Sequence, residues 1–180
     1  MAVARSRLMT VEEFRTLPED SGPVYHELRH GELVAVTRPK AKHTRIQKRL
    51  ERLLENAAGQ HGIVIMELAF RPIPEHELRV SDVAYVSNER WDRVDPDDNL
   101  QGAPEITIEV LSPSNSAAEL YDKEKLCLEN GGREFWVVDP DLRQVKVSTP
   151  DGHTITYQSG QQIPLPLFRG AKVPIDDIFA

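Results

Sequence analysis

With 180 residues, a formal net charge of −7, and 39% hydrophobic against 28% charged residues, the chain has the makeup of one soluble globular domain, large enough to bury a core without disulfides. No apolar run approaches the ~20 residues of a membrane span, and no apolar segment follows Arg5 and Arg7, so neither a transmembrane helix nor a signal peptide is expected. A lone cysteine, Cys127, excludes an intrachain disulfide and suits a reducing, cytoplasmic compartment.

Thr10-Val11-Glu12-Glu13 is a capping box and predicts a short helix to Leu17, ended by Pro18 and Gly22-Pro23. Tyr25 to Val36 reads as a hairpin turning at His30-Gly31. From Thr44 to Ala58, the residues Ile46, Leu50, Leu53, Leu54 and Ala57 recur at helical steps, and Gly59 and Gly62 end the helix. Its opposite face carries Arg45, Lys48, Arg49 and Arg52, which with Arg38, Lys40 and Lys42 make a basic stretch on an acidic chain. Phosphate contact and a merely solvated helix face both fit that stretch.

Three strands follow, at Ile63 to Phe70, Val80 to Val86 and Ile106 to Leu111, the last two separated by a polar loop with Pro96 and Gly102. Ser116-Ala117-Ala118-Glu119 is a second capping box, opening a helix that Gly131-Gly132 stops, with Leu120, Tyr121, Glu124, Cys127 and Leu128 expected on one side. Glu134 to Val138 suits a buried strand, and Gln144 to Ser148 with Thr154 to Tyr157 a hairpin around Asp151-Gly152. The proline-bearing tail reads as an extended cover ending in a turn at Ile175 to Phe179. This order predicts a mixed sheet with helices against it, in the α/β or α+β class.

Two acids stand out. Side chains alternate along a strand, so Ile106, Ile108 and Val110 face one way, and Thr107, Glu109 and Leu111 the other. Glu109 in such a strand is costly to bury unless paired or metal-bound, and Asp82 sits equally oddly among Val80, Val83, Tyr85 and Val86. If the two strands are neighbours, about 4.8 Å apart, the carboxylates can converge on a divalent cation, and hard oxygen donors favour Mg²⁺ or Mn²⁺. A separate arginine pairing for each acid is the competing reading.

Several stretches together resemble the Uma2 (DUF820) family of the PD-(D/E)XK, restriction-endonuclease-like superfamily. They are His26-Glu27-Leu28 with Gly31-Glu32-Leu33, His43, Ser81-Asp82-Val83-Ala84-Tyr85-Val86, Glu109-Val110-Leu111-Ser112-Pro113-Ser114, Lys123, and Glu134-Phe135-Trp136-Val137-Val138-Asp139-Pro140. The resemblance implies one endonuclease-like domain over 1–180. Its mixed-sheet core spans about 43–140, with an added N-terminal helix and hairpin at 10–38 and a C-terminal antiparallel extension at 144–180.

The resemblance also implies roles. Asp82 and Glu109 become metal ligands, Val110 contributes its carbonyl, and Lys123 supplies the catalytic ammonium from the following helix, because Leu111 stands where the wider superfamily has lysine. His43, Glu27 and Glu32 are auxiliary candidates, with a helix-start role for the histidine and a turn role for the acids as alternatives. Lys42, Arg45, Lys48 and Arg49 are candidates for nucleic-acid contact. Ser81, His26, His30 and Cys127 depart from the family's usual proline, tyrosine, aspartate and tyrosine, and none of these departures removes a ligand. Phe135 and Trp136 are expected in the core, with Tyr121 packed on its helix and Cys127 buried. The implied activity is Mg²⁺- or Mn²⁺-dependent hydrolysis of phosphodiesters in nucleic acid, with DNA favoured, by a homodimer or higher homo-oligomer. A nucleic-acid-binding or regulatory module without turnover and a structural oligomer are the alternatives.

Overall fold

The structure, a computed structural model, describes residues 7–113 and 115–180; Arg5 and Ser114 lie outside the described residues. Helix α1 (Val11–Arg15) leads into a hairpin of β1 (Val24–Arg29) and β2 (Glu32–Thr37), followed by the long helix α2 (Ala41–Ala58). β3 (Gly62–Arg71), β4 (Arg79–Ser87), the one-turn helix α3 (Asn88–Trp91), β5 (Leu100–Gln101) and β6 (Ile106–Val110) precede α4 (Ala117–Glu129). β7 (Glu134–Asp139), β8 (Gln144–Ser148) and β9 (Thr154–Tyr157) complete the main sheet, and β10 (Gln162–Leu165), β11 (Ala171–Pro174) and α5 (Ile175–Ile178) form the tail.

The main sheet has seven strands in the order β5-β3-β4-β6-β7-β8-β9. It is mixed: β6 runs parallel to β7 and β5 to β3, while the other neighbours are antiparallel. The parallel β6–β7 pair is possible because α4 carries the chain back between them. Both predicted capping boxes form, with Thr10 accepting from the Glu13 amide and Ser116 from the Glu119 amide. The β1–β2 turn places His30 at φ 50° and Gly31 at φ 74°, the left-handed pair that a two-residue hairpin needs.

Alternation along β6 sorts two apolar layers. Ile106, Ile108 and Val110 join Ile46, Leu50 and Leu54 of α2, Trp136, and the tail residues Ile163, Val173 and Ile175 on one face. Phe135, Ala84, Val86 and Cys127 pack on the other, which α4 covers. The tail is thus more ordered than an extended cover, because β10 and β11 pair and put Ile163 and Val173 into the core. No helix among the described residues is long and apolar enough to cross a membrane.

Four expectations need correction. α2 starts at Ala41, three residues before Thr44, from an N-cap at Lys40 whose side chain makes no capping bond, so no cap residue marks the start. The segment expected as a polar loop holds α3 and β5. The strand expected to reach Leu111 ends at Val110. On α4 the buried residues are Lys123, Leu126 and Cys127, whereas Tyr121 is 69% exposed. Apolar periodicity misphased this helix because a lysine lies on its inward stripe. Phe135 and Trp136 are core residues, as expected.

Leu50 is fully buried between α2 and the sheet. Leu50→Ala should cost about 2–5 kcal/mol through lost transfer energy and a residual cavity, read as a lower midpoint in urea denaturation at unchanged slope.

Candidate active site

β4 and β6 pair antiparallel through Tyr85↔Ile106, Ala84↔Thr107 and Val83↔Ile108. The pairing stops there, and one further step in the same register would bring Asp82 level with Glu109; Asp82 is contacted from α2 and Glu109 from α4. Directly opposed residues of an antiparallel pair have Cβ atoms about 4.5–5.5 Å apart. Asp82 takes over part of the ladder, because its Oδ2 accepts from the Val110 amide at 2.6 Å.

From α2, Gln47 Nε2 donates to Asp82 Oδ1 at 3.1 Å, and His43 Nε2 stands 2.9 Å from the same oxygen, close enough to pair but off the hydrogen-bond line. Burial opposes charge on the His43 ring, but Asp82 outweighs it and holds the imidazole pKa above its usual value.

Glu109 is 8% exposed. Burial drives its carboxyl pKa upward, and the Lys123 ammonium, 2.8 Å from Oε1, works against that shift. Lys123 also donates to the Val80 carbonyl at 2.6 Å, so its Nζ spans the gap between β4 and β6. Burial disfavours its charge too, yet Glu109, Glu27 and Asp82 together keep the ammonium pKa above normal. Cys127, one turn along α4, is buried, and burial pushes its thiol up to about 12, which leaves it inert.

A third acid lies in the same row across the sheet. β3 pairs with β4 at Met66↔Val83 and Leu68↔Ser81, and the skipped position puts Glu67 opposite Asp82. Glu67 has φ 54°, a strained conformation for a glutamate within a strand. Across the site mouth, β1 offers Tyr25, whose phenol is held protonated by burial and by the charges of Glu27, Glu109, Asp82 and Glu67.

The hairpin is fastened to this centre by ions. Glu27 is 1% exposed; its Oε1 accepts from the Val80 amide and its Oε2 from Arg29 Nε. Arg29 reaches Glu119, and the His30 ring sits between Glu77 and Asp122, 2.8 Å from each; Glu119 and Asp122 lie on α4 and Glu77 just before β4. Arg79, 1% exposed, closes the network on Glu77 and Asp122.

The sequence-derived candidates therefore separate. Asp82, Glu109, Val110, Lys123 and His43 meet, and Glu27 braces them from the hairpin. Glu32 is exposed on β2 and stands apart. Lys42, Arg45 and Lys48 are exposed on α2, while Arg49 is half-buried; the helix buries its opposite side, so this face looks away from the carboxylates. Lys42 pairs with Asp141 and Lys48 with Glu51. Sequence reasoning missed Gln47, Tyr25 and the Arg79–Glu77–Asp122 set. Gln47 carried one usable signal, a polar residue four places after His43 on an apolar stripe.

The donors present fit a hard divalent cation that keeps several waters: two carboxylates and a backbone carbonyl, all oxygen. Among the described residues no three or more His, Cys, Asp or Glu side chains are grouped so as to hold a metal ion by themselves.

The sequence model of Uma2, described as "Putative restriction endonuclease", matches residues 11–176. The chain belongs to the Uma2 family. Among solved structures it is similar to a "putative nuclease belonging to DUF820" from Anabaena variabilis, with a TM-score of 0.79 at 25% identity over 95% of this chain and 97% of that one. The Uma2 match bears out the fold expected from the sequence, a mixed sheet flanked by helices in a nuclease-like arrangement. A search of curated proteins finds no match.

In this Uma2 chain Arg79 answers a carboxylate, Glu77, that is itself almost wholly buried. Arg79→Met should strand that charge and destabilise the protein by about 3–5 kcal/mol, seen in chemical denaturation, with Arg79→Lys recovering only part because it lacks the planar fork.

Proposed function

We propose that this chain is a divalent-metal-dependent nuclease that hydrolyses phosphodiester bonds in nucleic acid, DNA above all. The observation that carries the reading is that Asp82, just beyond the last β4–β6 pair, accepts from the Val110 amide while Glu109, next to Val110, pairs with the buried Lys123. Asp82, Glu109 and the Val110 carbonyl would hold the cation. When bound, it polarises a phosphate oxygen and lowers the pKa of a water.

The chain's own groups supply the rest. Lys123 stands fixed by Val80 and Glu109, so its ammonium can meet negative charge developing at the phosphate without reorganising. His43 is the auxiliary group at Asp82, its Nε2 set against the carboxylate. Glu27 acts through Val80 and Arg29 as a brace. The Tyr25 phenol remains a neutral donor at the mouth. Arg45 and Arg49, with Lys42 and Lys48, would contact phosphates beyond the cleavage point; exposed pairs such as Lys42–Asp141 are weak enough to exchange for phosphate. Cutting both strands of a duplex takes two such centres, which a homodimer supplies.

Mn²⁺ at about 100 times its Kd should add about 2.7 kcal/mol of stability, a rise of roughly 5–10 °C in Tm for a chain of this size. Asp82→Ala and Glu109→Ala should abolish both that rise and the nicking of plasmid DNA. A rise that persists in both variants defeats the ligand assignment. A rise lost in both, without cleavage of DNA or RNA by the parent chain, makes the protein a binding module.

A further inference from the structure

Gln47 is fully buried on the inward side of α2, beside Ile46 and Leu50. Its Nε2 donates to Asp82 Oδ1 at 3.1 Å and lies 3.4 Å from the Asp82 carbonyl. Both of those oxygens can only accept, so the amide orientation is settled: nitrogen toward Asp82, oxygen away. That oxygen, Oε1, is buried and has no hydrogen-bond partner among the described residues. A buried acceptor left without a donor is destabilising, and leucine would fill the same place in an apolar stripe without that penalty. The orphan oxygen sits on the same amide whose nitrogen grips Asp82. His43, one turn earlier on α2, occupies the other approach to Oδ1.

We propose that Gln47 is a positioning residue of the metal centre: its NH₂ fixes the Asp82 carboxylate, and its Oε1 accepts a hydrogen bond from a water in the cation's hydration shell. The inference rests on reading Asp82 and Glu109 as ligands. Mg²⁺ and Mn²⁺ held by few carboxylates keep several waters, and those waters need acceptors. Groups that orient a metal's surroundings in this way typically change its affinity by about 10- to 100-fold when removed.

The test is titration of the full chain with Mn²⁺ alone, followed by electron paramagnetic resonance of the free ion, with circular dichroism to confirm the fold. Gln47→Leu removes donor and acceptor, and should weaken Mn²⁺ binding at least about tenfold. Gln47→Glu keeps an acceptor but loses the donor to Asp82, and should weaken Mn²⁺ binding less than Gln47→Leu does. Gln47→Met serves in place of leucine if that variant does not fold. Wild-type affinity in the leucine or methionine variant overturns the proposal. Weakening in the glutamate variant as large as in the leucine variant also overturns it, because the acceptor would then contribute nothing. Asp82→Ala separates the two levels: if it leaves Mn²⁺ binding intact, the ligand reading itself falls, and if it abolishes binding while Gln47→Leu does not, only the role of Gln47 falls.

Discussion

A carboxylate can stay ionised inside a sheet only where another group answers its charge, and Glu109 meets that condition through Lys123. Much of the surrounding structure is arranged around that pair. The ammonium has to descend from α4, so α4 must dock with Lys123 inward, even though its apolar residues alone would suggest another phase. The capping box at Ser116 fixes where the helix begins and hence which residue faces the strands. Once Lys123 points in, Glu119 and Asp122 stand where the hairpin's Arg29 and His30 can reach them.

That hairpin illustrates how the chain holds a precise centre at a cost in stability. Arg79, Glu77 and Glu27 are almost wholly removed from water, and buried ion pairs of this kind seldom stabilise more than well-packed apolar residues would. Their value is geometric. Glu27 pins the Val80 amide, Lys123 takes the Val80 carbonyl, and the two together fix the stretch of β4 that leads into Asp82. His30 takes part through both ring nitrogens, one toward Glu77 and the other toward Asp122. Against burial, which would raise it, His30 and Arg79 keep the Asp122 carboxyl pKa below its normal range.

The parts legible in the sequence were those set by local rules. Two capping boxes, a His-Gly turn and strict alternation around Glu109 each depend on neighbours in the chain, and each forms. The start of α2 was hidden because Lys40 offers no capping side chain, and β5 because two residues pairing with β3 leave no periodic trace. Apolar periodicity put Tyr121 on the inward side and gave no sign of an inward lysine; only the family resemblance pointed Lys123 toward Glu109. Arg79, Glu77 and Asp122 lie on three different elements or loops, so no spacing could have joined them.

Asp82 shows how a site of this kind can be ready without being rigidly committed. Its carboxylate is satisfied by groups of the chain itself: the Val110 amide on one oxygen, Gln47 and His43 on the other. A cation gains only the difference between its own bonds to that carboxylate and the contacts it displaces or reshapes. The left-handed Glu67 on one side and the end of the β4–β6 ladder on the other leave the strands around Asp82 less tightly paired than those farther along. Fewer ladder bonds must therefore give way when the carboxylates adjust. The fold concentrates its rigidity in the ionic brace and the two apolar layers, and leaves the adjustable part at Asp82, just beyond the end of the β4–β6 ladder, where the proposed chemistry needs it.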